Sequence, residues 1–206
     1  MQIVYSPLDA LTLAQQNPDR EIVFVGVGFE TTTPLVAMAI KRAAAAGLKN
    51  FSVFGAHKNM PGALEAIIND PQLKVDALIL PGHVSTIIGA EPYRFLAEKY
   101  GIPGVITGFE PVDVLQGIAM IMRQLHEGRA DIEIAYARGV MPEGNPVALA
   151  AIDEVFETCT ASDTAAAVLG PGLLLAVYRD SLGFDRRVVG TEQLVRMYVS
   201  LLVHVP

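Results

Sequence analysis

The sequence has little of what several kinds of protein require. Its 206 residues include one cysteine and no tryptophan. A single cysteine, Cys159, cannot form an internal disulfide or complete a structural zinc or iron–sulfur site. The longest apolar stretches, such as VFVGVG at 23–28, are far shorter than the ~20 residues of a membrane-spanning helix. We therefore expect no internal disulfide, no metal ligand set in this chain alone and no membrane span.

Positive charge is also scarce. Lys plus Arg number 15 against 22 Asp plus Glu, which gives a formal net charge of −7 at pH 7. No cluster of basic residues interleaved with aromatic residues, the pattern typical of nucleic-acid binding, occurs along the chain. The first residues, MQIVYSPLDA, lack the charged start and apolar centre of a signal peptide. These features predict a cytoplasmic protein that does not bind nucleic acid.

Short β-rich apolar runs alternate with stretches in which apolar residues recur at helical spacing. This alternation predicts an α/β fold: an open, mostly parallel twisted sheet with helices on both faces, made of Rossmann-like βα units. Pro34 and Gly47 bound the second helix as a first-turn proline and a terminal glycine should. The predicted strands are 2–5, 22–27, 51–55, 76–80, 104–107 and 132–137, and the predicted helices are 8–16, 34–46, 61–69, 85–99, 112–127 and 145–156.

Polar side chains gather where three predicted strands end. VGVGFETTTP, LILPGHVSTIIG and VITGFEPVD each lead from an apolar strand through a glycine to a helix start. In open α/β sheets, ligands bind beyond the carboxyl ends of the strands, close to helix N-termini. We therefore expect the three exits to share one rim of the sheet, with Glu30, His83 and Glu110 facing outward.

Each of these motifs also has a purely structural interpretation. Thr31, Thr32 and Glu30 fit the N-terminus of the following helix, although capping accounts for only one of the hydroxyls. Ser85 fits an N-cap equally well. Its nearness to His83 does not indicate a hydrolase triad, because the G-x-S-x-G elbow is missing from the sequence.

Two carboxylates and a further histidine complete the set of candidates. Glu110 and Asp113 lie three residues apart on a predicted first helical turn, so they share one face. That spacing suits acid–base chemistry or cation binding, and equally a helix start favoured by the dipole. His57 follows a fourth strand and becomes a candidate beside the other polar exits. The residues by themselves assign no catalytic role and no metal ligand.

The same motifs resemble those of the HypD family of hydrogenase formation proteins. IVYSPLDALTLAQQNP, GVGFETTTP, PGHVSTIIG, VITGFEPVDVLQG and GNPVALAAIDEVF occur in the family's order, from residue 2 to about 157. The resemblance implies a scaffold that joins a HypC-type chaperone, receives cyanide from a HypE-type donor and helps to assemble the Fe(CN)2CO group of nickel–iron hydrogenase. It also implies a cleft between two α/β domains, lined here by Glu30, Thr31, Thr32, His83, Ser85, Glu110 and Asp113.

The chain departs from the family pattern at both ends. The family's Cys-Gly-x-His-x-His and Gly-Pro-Gly-Cys-Pro-Val-Cys segments are absent, and so are the cysteines of its C-terminal [4Fe–4S] region. We therefore expect no cofactor in this chain and no iron-ligand assembly by the chain alone.

The departure near the C-terminus suggests a frameshift. Where the family has a Trp-Arg-Gly-Leu-Gly-Pro segment, residues 167–171 read AVLGP. A one-base shift of an Arg-Gly-Leu-Gly-Pro coding run can produce that string. This predicts a HypD-like region at 1–160 and a divergent tail at 161–206, read off-frame from about residue 165 and poorly packed. The rival interpretation is a terminal amphipathic helix at 191–203.

Two other functions fit the residues. One is a small-molecule enzyme that uses Glu30, His83 and Glu110 as acid, base and anchor. The other is an interaction module without chemistry. The sequence leaves open whether the chain is an enzyme.

Overall fold

The computed structural model describes residues 1–72, 75–159 and the strand at 175–178. Helices and strands alternate along the chain, and the strand pairs described before residue 156 are all parallel. The helices are α1 Pro7–Gln16, α2 Thr33–Ala45, α3 Met60–Ile68, α4 Gly82–Ile88, α5 Arg94–Tyr100, α6 Pro111–Glu127 and α7 Pro146–Val155. The strands are β1 Ile22–Gly28, β2 Phe51–His57, β3 Leu78–Pro81, β4 Gly104–Thr107, β5 Ile132–Ile134, β6 Phe156–Cys159 and β7 Leu175–Tyr178.

A first lobe is built on β1 and β2, which pair in parallel from Ile22 with Phe51 to Gly28 with His57. Alanines on one side of α2 leave room for close packing, and α2 lies against both α1 and α7. The opposite side of β1 carries three exposed valines, so this apolar strand is not covered on both faces by the described residues. The buried core of the lobe consists of Ala10, Leu11, Ala14, Val36, Ala37, Ala39, Ile40, Ala43, Phe51, Val155 and Phe156.

A second lobe is a three-stranded parallel sheet in the order β3-β4-β5. Its two faces carry different helices. Gly117 of α6 lies against Val105 and Thr107, so α6 covers that face of β4. Ile106 belongs to the cluster on the other face, where α4, α5 and the 3₁₀ turn at Glu91–Tyr93 pack. Helices therefore cover both faces of this sheet, as the sequence predicts for an open α/β fold.

The two lobes are connected twice. Phe29 and Met60 come from the first half of the chain, yet both pack on the core of the second lobe. Leu149 of α7 also packs on that core, and α7 then returns the chain to the first lobe. The second lobe is thus inserted between two segments that meet again in the first.

The α/β class and the alternation of parallel strands and helices are confirmed, with three differences in detail. The strand predicted at 2–5 is wrong: Ser6 caps α1 instead, and Ile3 and Tyr5 are exposed. The helix predicted at 85–99 is interrupted at Gly89, whose φ of 75° suits glycine. The strands form two parallel sheets, not one.

The predictions for the C-terminal tail concern mostly residues outside the described ranges. Of residues 161–206, the structure describes only β7, which pairs antiparallel with β6 from Leu175 with Cys159 to Tyr178 with Phe156. The predicted poor packing of the tail and the alternative helix at 191–203 both concern residues outside the described ranges.

Candidate functional site

The ends of β3 and β4 place His83 and Phe109 side by side. Pro81 and Thr107 are partners in the parallel register, so the two chains leave the sheet together. The rings of His83 and Phe109 lie 5.1 Å apart between centroids, tilted by 41°. Both residues are exposed, and Phe109 retains 76% of its accessible surface. Two of the three predicted exits therefore meet at one solvent-facing edge.

An ion-pair network stands beside these rings. Asp113, on the first turn of α6, is buried. It accepts two hydrogen bonds from Arg138, from Nη1 to Oδ1 at 2.7 Å and from Nη2 to Oδ2 at 2.6 Å. The hydrogen bonds from Arg138 hold the pKa of Asp113 below its usual range, against the opposing effect of desolvation. Glu110 Oε2 lies 3.2 Å from Arg138 Nη2, but its side chain remains 75% exposed.

The aromatic ring of Tyr136 packs against Arg138 of this ion-pair network. The Arg138 guanidinium lies 4.6 Å from the centre of the Tyr136 ring, a cation–π geometry. A Cβ at Gly82 would lie 3.1 Å from Tyr136 Cδ1, and a Cβ at Gly108 would lie 2.9 Å from Cδ2. The nearest atoms to these added Cβ atoms are the Thr107 carbonyl oxygen at Gly82 and Asp113 Oδ2 at Gly108, both closer than the ring, so both positions require glycine. We call His83, Phe109, Glu110, Asp113, Tyr136 and Arg138 the strand-exit cluster.

Glu30 occupies a different position from the one predicted. Its Oε1 accepts a hydrogen bond of 2.8 Å from the backbone N–H of Met60, at the start of α3. Its Oε2 is buried without a hydrogen-bond partner among the described residues. Burial raises the pKa of the Glu30 carboxyl, and the backbone hydrogen bonds oppose this only in part. Glu30 therefore tethers the end of β1 to α3 and does not face solvent freely.

Tyr93 shares the electrostatic environment of Glu30. Its side chain is fully buried and its hydroxyl has no hydrogen-bond partner among the described residues. Ser85 stands close enough to lower the tyrosine's pKa slightly, but its own hydroxyl donates to the Pro81 carbonyl at 2.8 Å. Desolvation, with a smaller contribution from the Glu30 charge, raises the pKa of Tyr93 to about 12. Ser85 is thus a buried residue of α4, outside the exposed cluster.

The threonines after Glu30 do not cap α2 in the expected way. Thr32 is the N-cap residue, but its side chain makes no capping bond. The hydroxyls of Thr32 and Thr33 both donate back to the Phe29 carbonyl, at 3.2 and 3.0 Å. Thr31 is exposed. These hydroxyls fix the turn that follows β1.

His57 is buried in the first lobe. It is 1% exposed, and both of its ring nitrogens lack hydrogen-bond partners among the described residues. Its ring meets that of Phe156 edge-on at 5.9 Å. Desolvation lowers the pKa of His57, so the imidazole is neutral at pH 7. The histidine does not join His83 in the strand-exit cluster.

The structure thus brings together His83, Glu110 and Asp113, and it places Glu30, Ser85 and His57 in the interior. Sequence reasoning missed Tyr136 and Arg138. The sequence did contain a pattern that could have indicated them. The polar residues of YAR follow β5, the third parallel strand of the second lobe, just as the other candidates follow their strands. Within the described ranges no group of three His, Cys, Asp or Glu side chains is arranged to hold a metal ion. None of the described helices is long and apolar enough to cross a membrane.

The fold and the cluster define an open-sheet α/β protein with a polar edge beyond its strands. The sequence profile of the HypD family, described as "Hydrogenase formation hypA family", matches residues 1–167. The chain therefore belongs to the HypD family, and the resemblance inferred from its motifs is confirmed.

Curated relatives agree with this assignment. The chain is 55% identical over 157 residues to the hydrogenase maturation factor HypD of Rhodobacter capsulatus, an alignment covering 76% of this chain and 42% of the relative. It is 49% identical over 162 residues to the hydrogenase expression/formation protein HupD of Azotobacter chroococcum, covering 76% and 43%. It is 43% identical over 156 residues to HypD of Escherichia coli, covering 76% and 42%. The chain thus spans about two fifths of the length of these relatives.

Proposed function

We propose that this chain provides one wall of the working cleft in a HypD-type scaffold that helps to assemble the Fe(CN)2CO group of nickel–iron hydrogenase. Its partners are a HypC-type chaperone and a HypE-type cyanide donor, and it acts in the cytoplasm. The cysteine-bearing parts that hold a [4Fe–4S] cluster in this family are not among its residues. The chain alone is therefore inactive in iron-ligand assembly, and the iron group is cargo of the complete machinery.

The observation that carries this proposal is the contact between His83 and Phe109 beside the Glu110–Arg138–Asp113 network. Two family motifs, Pro-Gly-His-Val-Ser and Gly-Phe-Glu-Pro, supply its neighbouring side chains from adjacent strands. An exposed imidazole and an exposed carboxylate at one edge are suited to bind a polar partner group or to transfer a proton. They form a surface that is open to a large partner.

The buried members of the motifs have a supporting role in this proposal. Glu30 reaches the N-terminus of α3, and α3 packs on the second lobe. Ser85 is a buried residue of α4, which carries His83 on its first turn, and the buried Tyr93 belongs to the same core as α4. These residues set the position of the exposed side chains and do not contact the partner.

A chimaera tests the proposal. Residues 2–157 would replace the matching segment of the Rhodobacter capsulatus relative, in a strain that lacks its own HypD. We expect the chimaera to restore hydrogenase activity and the infrared absorption of iron-bound cyanide and carbon monoxide. His83→Ala and Phe109→Ala in the chimaera should each reduce both signals at least tenfold, whereas the exposed His126→Ala on α6 should not. Full maturation by both cluster variants would refute the proposed role.

A further inference from the structure

Two buried oxygens lie at the junction of the lobes without a partner. Glu30 Oε2 and the hydroxyl of Tyr93 both lack a hydrogen-bond partner among the described residues. Tyr93 is fully buried in the core of the second lobe, and Phe29 and Met60, which flank Glu30, pack on the same core. The charge of Glu30 acts on Tyr93, so the two groups are close enough to interact. Buried polar groups without partners are rare in folded proteins, and such a pair calls for a physical explanation.

Ser85 is the third polar group of this cluster. It is fully buried on α4, and its hydroxyl donates to the Pro81 carbonyl at 2.8 Å. Because a hydroxyl has a single proton, Ser85 can only accept a hydrogen bond from any other neighbour. Tyr93 is near enough for Ser85 to affect its pKa. Tyr93 can therefore give its own proton to Ser85, which leaves the tyrosine oxygen free to accept.

Only a neutral Glu30 can donate to that oxygen. An ionised carboxylate has no proton, and its two oxygens act as acceptors alone. Glu30 Oε1 already accepts from the Met60 backbone N–H, so the proton of a neutral carboxyl belongs on Oε2, the oxygen without a partner. Protonation therefore supplies the donor that Tyr93 lacks, and it removes a buried charge that is costly to desolvate.

Other charges near this cluster do not account for the state of Glu30. Glu65 is ion-paired with Lys99, and Glu91 with Arg94. Burial raises the pKa of the Glu30 carboxyl, and only backbone hydrogen bonds oppose that effect. The charged or titratable groups on the elements around the pair are His57 and Lys58 at the end of β2, Lys41 and Arg42 on α2, Glu65 on α3, His83 on α4, and Glu91 with Arg94 at the 3₁₀ turn.

We propose that Tyr93 is a positioning residue that transmits the protonation state of Glu30 to α4. When Glu30 is neutral, its carboxyl donates to Tyr93, and Tyr93 donates to Ser85. Ser85 in turn donates to the Pro81 carbonyl, so each hydroxyl of the chain donates once and accepts once. The chain joins the turn after β1 to α4, which carries His83 on its first turn. The importance of His83 rests on the proposed function, whereas the hydrogen-bond chain does not.

Infrared difference spectroscopy of the full chain, from about pH 8 to pH 4, tests the chain. A buried neutral carboxyl gives a separate absorption band, and Glu30→Gln identifies the band of Glu30 by its loss. Tyr93→Phe keeps the ring and removes the hydroxyl. It should move the band to higher frequency and lower the pH of half-protonation by about 0.5–1 unit, the effect of one ordinary hydrogen bond. Tyr100→Phe is the matched control, because the Tyr100 hydroxyl bonds to Glu65 and Asn69 instead.

Proton magnetic resonance of the histidine rings tests whether the chain reaches α4. The Cε1 proton signal of His83 should show a step at the pH of half-protonation of Glu30. Tyr93→Phe should remove this step. His126, on α6, is the control, and its titration curve should be the same in the variant and the wild type.

The outcomes are distinct. A Glu30 band unchanged in Tyr93→Phe would overturn the inference. A pH of half-protonation that rises in Tyr93→Phe would also overturn it, because Tyr93 would then donate to the ionised carboxylate. A His83 signal without the step would refute the positioning role.

A second variant keeps the inference testable if Tyr93→Phe does not fold, as checked by circular dichroism. Ser85→Ala frees the proton of Tyr93 for the ionised carboxylate, so it should also lower the pH of half-protonation of Glu30. An unchanged value would contradict the chain. None of these measurements depends on hydrogenase maturation, which the chimaera tests separately.

Discussion

Arg138 holds both carboxylate oxygens of Asp113, so the loop after β5 is fixed to the first turn of α6 by two hydrogen bonds. The two residues are 25 positions apart in sequence. His83, Phe109 and Glu110 lie on the exposed edge beside this ion pair. The geometry of that edge therefore depends on one ion pair that is buried on the acidic side and half exposed on the basic side.

Asp113→Asn is expected to lower the free energy of unfolding by about 1–3 kcal/mol, because it removes the charge from a buried group that accepts two hydrogen bonds. Urea titration at pH 7, followed by circular dichroism, measures the change. Glu110→Gln is the matched control: its side chain is 75% exposed, so its pairing with Arg138 contributes at most about 1 kcal/mol.

The same variant tests a pH dependence. The pKa of Asp113 is lowered in the fold, so its stabilising contribution is present above the unfolded pKa of about 3.9. That contribution is lost as the pH falls through the pKa that Asp113 has in the folded protein, which lies below the unfolded pKa. Asp113→Asn should therefore show a shallower loss of stability below pH 4 than the wild type. If both proteins lost stability equally steeply below pH 4, the ion pair between Asp113 and Arg138 would be contradicted.

Gly108→Ala is expected to cost about 1–3 kcal/mol by overpacking, since its Cβ would overlap Asp113 Oδ2 and press on the Tyr136 ring. Gly101→Ala is the control. Gly101 has a φ of 65° but no atom within 4 Å of an added Cβ, so it should cost only about 1 kcal/mol of backbone strain. Thermal unfolding compares the two. Equal losses would show that Tyr136 does not pack as described.

Glu30→Gln is expected to raise stability at pH 7 by about 1 kcal/mol, because it removes a buried charge and keeps the oxygen that accepts from Met60. The pKa of Glu30 is raised, so the stabilising effect of its protonated form is present below the unfolded pKa and lost as the pH rises through the folded one. The difference between variant and wild type should therefore disappear near pH 4. Chemical denaturation at both pH values measures it.

The outcome that would contradict this assignment is a Gln variant less stable than the wild type at pH 7. Glu30→Ala, which removes the hydrogen bond to α3 as well, should be less stable than Glu30→Gln. Glu143→Gln, at an exposed position, controls for the change in net charge.

His57→Met is expected to remove part of the acid sensitivity of the protein. The pKa of His57 is lowered by burial, so its neutral form supports the fold above the unfolded pKa of about 6.5. That support is lost as the pH falls through the folded value, by up to about 2 kcal/mol at pH 5. Melting temperatures from pH 7.5 to 5 should decline less in the variant than in the wild type. The exposed His83→Ala variant should decline as the wild type does.

Local patterns in the sequence predict much of the fold. Helix α2 begins at Thr33, one residue before the predicted start at 34. The prediction came this close because Pro34 and Gly47 mark the two ends of the helix in the sequence. Helix α6 begins at Pro111 for the same reason. The strand predicted at 2–5 failed because an apolar run alone does not identify a strand when Ser6 provides a helix cap beside it.

The candidate site was predictable only where it is local. Glu110 and Asp113 share a helical turn, and spacing alone places them together. The bond from Met60 to Glu30 joins residues 30 positions apart, and it depends on how α3 approaches the end of β1. Whether β1 belongs to the same sheet as β3 depends on strand order, which no short motif encodes. Tertiary packing therefore determines which of the residues that follow the strands are exposed and which are buried.

The double connection between the lobes limits how the edge can move. The chain enters the second lobe beside α3 and leaves it before α7, and both segments pack on the core that they connect. Two packed crossings restrain the second lobe more than a single linker would. A partner arriving at the outer edge would therefore meet side chains whose position is tied to the first lobe at two points.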